Sequence, residues 1–315
     1  MIPVNRSIYY TLLGLSLLLY GACKKDVVEK PEISKAELLE QETPPEKRVV
    51  SNEFSKYWYR GKAEITSYEL EQARYGELRK GDAVLVFVTE DFLPEIQVKA
   101  DRPGANNIPV LKLNKTKKFL TGIYPYSIMT STFYPVKKKQ HALKVSNSVQ
   151  EWCGHVYAQL NNRRKFELTA HSYFQGEADQ QLLLDKTYLE DEIWTLIRIN
   201  PDELPLGALD LIPSMEFLRL KHKEFKAYKA TATLTKKGGT SIYRIDYPQL
   251  NRSLSVAFAS AFPYSIESWE ETMVSGFGTS AQTLTTRAVK KRQIMSAYWQ
   301  KNSNDDVHLR DSLGI

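Results

Sequence analysis

Between residues 143 and 174 the chain alternates apolar and polar side chains in three successive stretches. Leu143, Val145 and Val149 alternate with Lys144, Ser146 and Ser148. Trp152, Gly154, Val156, Ala158 and Leu160 alternate with Cys153, His155, Tyr157 and Gln159. Phe166, Leu168, Ala170 and Phe174 alternate with Glu167, Thr169, His171 and Tyr173. A period of two sends successive side chains to opposite faces of a strand, so each stretch has one core face and one polar face. The polar run at 161–165 suits a hairpin loop. This region therefore folds as antiparallel strands.

The same period recurs elsewhere. Residues 83–88 form a continuous apolar run, as in a strand covered on both faces. Residues 110–113, 123–133, 254–258 and 284–289 read as further strands, separated by Pro, Gly, Asn and Lys clusters. The 18 tyrosines fit this bias, because Tyr, Val, Ile and Thr favour strands. One helix interrupts the pattern. Thr187 and Glu190 have capping-box spacing, Leu189, Ile193, Leu196 and Ile197 follow at helical spacing, and Asn200-Pro201 stops the run. Residues 305–313 suit a short C-terminal helix. Tyr124-Pro125-Tyr126-Ser127-Ile128 is echoed by Phe262-Pro263-Tyr264-Ser265-Ile266, which raises the alternative of two similar halves. The expected fold is mainly β: a large curved antiparallel sheet or open barrel with one internal helix.

The N-terminus differs in kind. Arg6 precedes an apolar run at 12–19, then come Tyr20-Gly21-Ala22, Cys23 and Lys24-Lys25. This order resembles a bacterial lipoprotein signal peptide, with Cys23 as the lipidated first residue of the mature chain. The run is too short to span a bilayer comfortably. Residues 1–22 are expected to be the signal peptide, 23–52 a flexible tether and 53–315 a β-rich envelope domain. The tether is polar, with Pro31 and Pro44-Pro45, and a short helix fits 34–41. Lys24 stands where an inner-membrane retention aspartate would, so lipid anchoring at the outer membrane is expected.

Of the two cysteines the lipid consumes Cys23, so Cys153 has no partner within the chain and is expected to be buried. The net charge of +6 is mild and does not call for nucleic acid.

A register can be argued from the alternation, since opposed residues share a face. A turn at Gln150-Glu151 pairs Val149 with Trp152, Ser148 with Cys153 and Ser146 with His155. Closing the next hairpin at Leu160 and Phe166 sets His155 opposite His171 and Cys153 opposite Tyr173. Ser146, His155, His171 and Cys153 are then the candidate site. His and Cys are zinc-compatible ligands, and a hydroxyl or thiol beside imidazole begins a nucleophilic site. Glu177 and Asp179 are the nearest acids. The plainer expectation is a solvated polar face with two ordinary histidines and no cofactor or metal.

Other motifs carry less. Gly238-Gly239 is a turn rather than a phosphate cradle. Lys137-Lys138-Lys139, Arg163-Arg164-Lys165 and Lys236-Lys237 fall at expected turns. Each is either a solvated tip or part of a basic rim that touches anionic headgroups. Glu267, Glu270 and Glu271 flank Trp269 with nothing beside them to support acid–base chemistry.

Three segments carry a family likeness: Lys56-Tyr57-Trp58-Tyr59, residues 122–131 and residues 150–157. They resemble a Gram-negative envelope lipoprotein family of roughly this length, whose members often carry the label "septum formation inhibitor Maf". The resemblance implies that label and an envelope location. It supplies no catalytic residues. The Maf pyrophosphatases open with a strand followed by Ser-Pro-Arg-Arg, which does not occur here.

The functional expectation is a non-enzymatic, membrane-anchored envelope lipoprotein. It would bind a lipid or other apolar ligand, or act as a scaffold, and its membrane contact would be the lipid on Cys23. The rival is a hydrolase or metal-dependent enzyme using Ser146, His155, His171 and Cys153. A Maf-type nucleotide pyrophosphatase follows from the label alone.

Overall fold

The computed structural model describes residues 45–315. Cys23, the expected signal peptide and the expected helix at 34–41 lie outside the described residues. The chain runs α1 (Asn52–Trp58), β1 (Ala63–Arg74), β2 (Glu77–Leu93), β3 (Val98–Lys99), β4 (Ile108–Thr121), β5 (Tyr124–Pro135), β6 (Lys144–Glu151), β7 (Gly154–Asn162), β8 (Phe166–Ser172) and β9 (Gln180–Leu184). It continues through β10 (Tyr188–Leu189), α2 (Glu190–Ile199), β11 (Gly207–Ile212), α3 (Met215–Leu220), β12 (Tyr228–Lys237), β13 (Thr240–Tyr247), β14 (Arg252–Ala259), β15 (Ile266–Ser275), β16 (Gln282–Ser296) and α4 (His308–Leu313).

All the strands join one open, curved sheet. Its order is β10-β11-β12-β13-β14-β15-β16-β1-β2-β4-β5-β6-β7-β8-β9, with β3 beside β2. Neighbours are antiparallel except β10 and β11. The last strand pairs with the first, Ala63 opposite Ser296, so the middle of the sheet is made from the two ends of the domain. The sheet is mainly β as the alternation predicts, and it is not closed.

Antiparallel order gives the sheet two ends. At the first end lie the β1–β2, β4–β5, β6–β7, β8–β9 and β15–β16 connections. At the second lie β2–β4, β5–β6, β7–β8, β12–β13 and β14–β15.

The inner face is filled. Every residue of α2 is buried, and the helix packs with β4 and β5. Trp194 meets Trp269 edge-on at 5.3 Å, and Trp269 packs on Tyr68 at 4.8 Å. A helix surrounded on all sides must pair its charged residues. Glu190 accepts from Arg252 and Tyr247. Glu192 accepts from the Ala142 amide at 2.6 Å and meets His141 Nδ1 at 2.8 Å. Glu216 on α3 meets Lys117 at 2.7 Å and Lys115 at 3.6 Å.

Several expectations need correction. The expected capping box at Thr187 does not form: its hydroxyl donates to the Asp210 carbonyl. The helix instead starts at Glu190, where the Leu189 amide donates to Glu192. Two further short helices, α1 and α3, escaped the periodicity because each has fewer than two full turns to repeat it. Helix at 308–313 agrees with the C-terminal expectation. The echo of Tyr124–Ile128 is not a structural repeat. Tyr124 starts β5 at the first end, whereas Phe262-Pro263, a cis peptide bond, lies in the β14–β15 connection at the second.

The domain also starts earlier than residue 53. Lys47 bridges Lys138, and buried Arg48 donates to the carbonyls of Pro135, Val136 and Lys138. Arg48 also forms a two-pronged pair with Glu203.

Candidate functional site

Ser146, His155 and His171 lie on the outer face, on neighbouring strands, and Cys153 lies in the turn between β6 and β7. The register is different from the expected one. The β6–β7 turn falls at Trp152-Cys153, with Glu151 opposite Gly154 and Val149 opposite Val156. Ser146 therefore faces Gln159, Ser148 faces Tyr157, and His155 faces Gln150. In the next hairpin Phe166 pairs with Asn162 and His171 with Tyr157. Both slips are by an even number, so the faces survive while every expected cross-strand partner is lost.

Trp152, expected on the core face, is 68% exposed. Cys153, expected to be buried, is exposed as well. Its hydrogen bond to Glu151, some burial and that carboxylate's charge push the thiol above its ordinary pKa. A thiol held protonated is a poor nucleophile. His155 and His171 are exposed, and His171 meets Asp179 at 3.1 Å on the open surface. These residues border an open trough of about 760 Å³ without converging on a point in it. Among the described residues no group of three or more His, Cys, Asp or Glu is placed to hold a metal ion.

The residues that do converge are apolar and were missed. Phe277, Ile123, Trp152 and Tyr173 stand in four connections of the first end, with exposures of 70, 82, 68 and 79%. Scattered exposed apolar residues are ordinary, but a run of them along one edge is not. Their neighbours join them into a rim. The Phe277 ring lies 6.2 Å from Tyr75, whose hydroxyl meets that of Tyr126 at 2.8 Å. Tyr124 lies 5.9 Å from Tyr126 and stacks on Trp152 at 6.2 Å.

The rim is braced from beneath. The Arg74 guanidinium sits 4.2 Å from the Tyr75 ring and donates to the Leu220 carbonyl at 2.8 Å. Burial, then the bond to Tyr126, raises the Tyr75 pKa, so its hydroxyl stays neutral. Gly76 and Gly276 let two hairpin tips touch. Both have positive φ, and a Cβ on either would fall 2.7 or 2.4 Å from the Ser280 carbonyl oxygen.

A sequence signal for the rim exists. Tyr75-Gly76, Gly122-Ile123 and Gly276-Phe277-Gly278 each set an apolar residue against a glycine. Glycine marks the turn, and a large apolar residue at a turn has no core to enter.

No family model matches the chain, and no curated protein matches its sequence. A search of solved structures finds the "Crystal Structure of Beta-barrel-like Protein of Domain of Unknown Function DUF1849 from Brucella abortus". The TM-score is 0.44 at 9% identity, over 79% of this chain and 99% of that one.

Among the described residues no helix is long and apolar enough to cross a membrane, which says nothing of strands.

Proposed function

We propose that this is a non-enzymatic envelope lipoprotein, anchored through Cys23, that acts as a scaffold and presents its aromatic rim to a protein partner. The observation that carries the reading is the contrast between inside and edge. The concave face is filled by α2, α3 and closed ion pairs, while Phe277, Ile123, Trp152 and Tyr173, each more than two-thirds exposed, gather at the first end. A lipid carrier needs an empty apolar interior. Protein interfaces, by comparison, are enriched in aromatic residues and draw their energy from a few of them.

The scaffold reading is preferred to the enzyme reading because Ser146 faces Gln159 rather than a histidine, and Cys153 is held protonated. Two measurements test it. A photo-crosslinking residue at Ile123 or Trp152 should capture one discrete protein in intact cells, and the same residue at Thr235 should not. Native mass spectrometry of the Cys23→Ser chain should find no bound lipid. A lipid held in equal stoichiometry would return the carrier reading and overturn this one.

A further inference from the structure

The second end of the sheet is basic where the first is aromatic. Lys137-Lys138-Lys139 and Arg163-Arg164-Lys165, scattered in sequence, fall in connections of this end, and Lys236-Lys237 close β12 at its turn there. Hydrogen bonds tie the loops together. Lys236 reaches Asp202, Arg48 reaches Glu203, Lys139 reaches Glu46, and Arg163 reaches the Glu95 carbonyl. These contacts engage four of the acids at this end, while Glu95 and Asp101 in the β2–β4 connection stand exposed. Glu46, Asp185, Asp202 and Glu203 each already hold a cation. Lys47, Lys137, Lys138 and Lys237 have no side-chain partner among the described residues, and all but the half-buried Lys138 are exposed.

Lys47 and Lys138 also face each other across an isolated bridge. Like charges set opposite one another destabilise a pairing unless a counter-charge offsets them. The described chain enters the domain here, at Pro45. Cys23 lies 22 residues earlier (45 − 23), a span of at most about 75 Å when fully extended. At the first end Arg74 bonds tyrosines and Lys221 the Val274 carbonyl, and Lys223 stands exposed as a single cation.

We propose that this basic end seats on an anionic lipid surface, so that the domain stands with its aromatic rim pointing away from the membrane. The inference rests on the anchored reading for its setting, and the occupant is a layer of anionic headgroups. Each basic side chain near such a surface strengthens binding about fivefold.

The test uses the full chain carrying Cys23→Ser, so that no acyl group contributes. It is measured by flotation with vesicles of phosphatidylcholine alone and of phosphatidylcholine mixed with phosphatidylglycerol. Binding should require phosphatidylglycerol and weaken with added salt. Lys47→Gln, Lys137→Gln, Lys138→Gln and Lys237→Gln together should lower it on the order of a hundredfold. Ile123→Ser and Trp152→Ser should leave it unchanged. Equal binding to neutral vesicles, or loss of binding in the rim variants instead, would overturn the proposal. The anchor is judged separately: normal membrane retention of Cys23→Ser in cells defeats the anchor and leaves the vesicle result standing.

Discussion

Arg198 on α2 and Glu64 on β1 face each other inside the sheet as a two-pronged ion pair, Nη1 to Oε1 at 2.5 Å and Nη2 to Oε2 at 2.7 Å. Both side chains are 1% exposed. The Tyr57 hydroxyl also donates to Glu64, and the guanidinium lies against the rings of Phe87 and Trp58. The pair fastens the inner helix to the wall. Removing one partner leaves the other charge buried, so Arg198→Met should cost about 3–5 kcal/mol in urea unfolding. Replacing both, Arg198→Met with Glu64→Leu, should cost much less. Burial alone would raise the Glu64 pKa, but the charge and hydrogen bonds of Arg198 hold it below the ordinary carboxylate value. Its contribution is therefore full above pH about 4.5 and is lost as pH falls through the lowered native pKa. A double variant no less damaging than the single one would show that packing, not the pair, is what matters.

Asp191 behaves in the opposite sense. Burial pushes its pKa up to about 6, and the charges of Glu190 and Glu216 add to that, against the pull of Lys115 and the Met215 amide. Its Oδ2 accepts from Met215 at 2.9 Å, while Oδ1 has no partner. The native state then binds more protons than the unfolded one between pH about 4 and 6, and this group's effect on stability worsens as pH rises through that window. Asp191→Asn keeps an acceptor for Met215 and removes the charge. It should stabilise the protein above pH 6 by on the order of 2–3 kcal/mol and make little difference near pH 4. Urea titrations at several pH values measure this. A destabilising Asn at neutral pH would place a compensating cation closer to Asp191 than Lys115 now stands.

The sequence made the class of fold readable but not the joins. Alternation is a property of faces, so the outer position of Ser146, His155 and His171 follows from it directly. Register is different, because any even slip satisfies the same pattern. The Gln150-Glu151 turn kept Trp152 on the core face, and the real turn at Trp152-Cys153 releases it to solvent. Nothing local announces that choice, which depends on β5 and β8 on either side. The buried ion pairs were unreadable for a related reason. Arg198 and Glu64 are 134 residues apart, and only the sheet brings them together. The candidate row follows from chemistry-bearing side chains, whereas the large exposed residues at the first end, Phe277, Ile123, Trp152 and Tyr173, are apolar and carry no such signal.

The start of the domain offers a third check. A flexible tether to residue 52 would make truncation before Phe54 almost harmless. Arg48 argues otherwise, with its pair to Glu203 and three carbonyl acceptors. Deleting residues up to 53 should lower stability by about 2–4 kcal/mol, since Glu203 and the carbonyls lose a charged partner. Ser51, whose hydroxyl caps α1 by accepting from the Phe54 amide at 3.0 Å, adds about 1 kcal/mol to that loss. A harmless deletion to 53 would restore the tether as the sequence suggested it.

The rim and the fold should separate cleanly under mutation. Ile123→Ser and Trp152→Ser alter exposed tips, so each should shift stability by within about 0.5 kcal/mol. His155→Ala and His171→Ala should do the same, for the same reason. Gly276→Ala is a different case. Its φ of +93° and the 2.4 Å approach to the Ser280 carbonyl leave no room for a Cβ, and backbone is what it would strike. That substitution should cost about 1–3 kcal/mol and splay the β1–β2 and β15–β16 tips, drawing Phe277 away from Tyr75. If the rim binds a partner as one surface, Gly276→Ala should weaken crosslinking from Trp152 although the two residues never touch. Capture that survives Gly276→Ala but fails in Trp152→Ser would confine the interface to the Tyr124–Trp152 side.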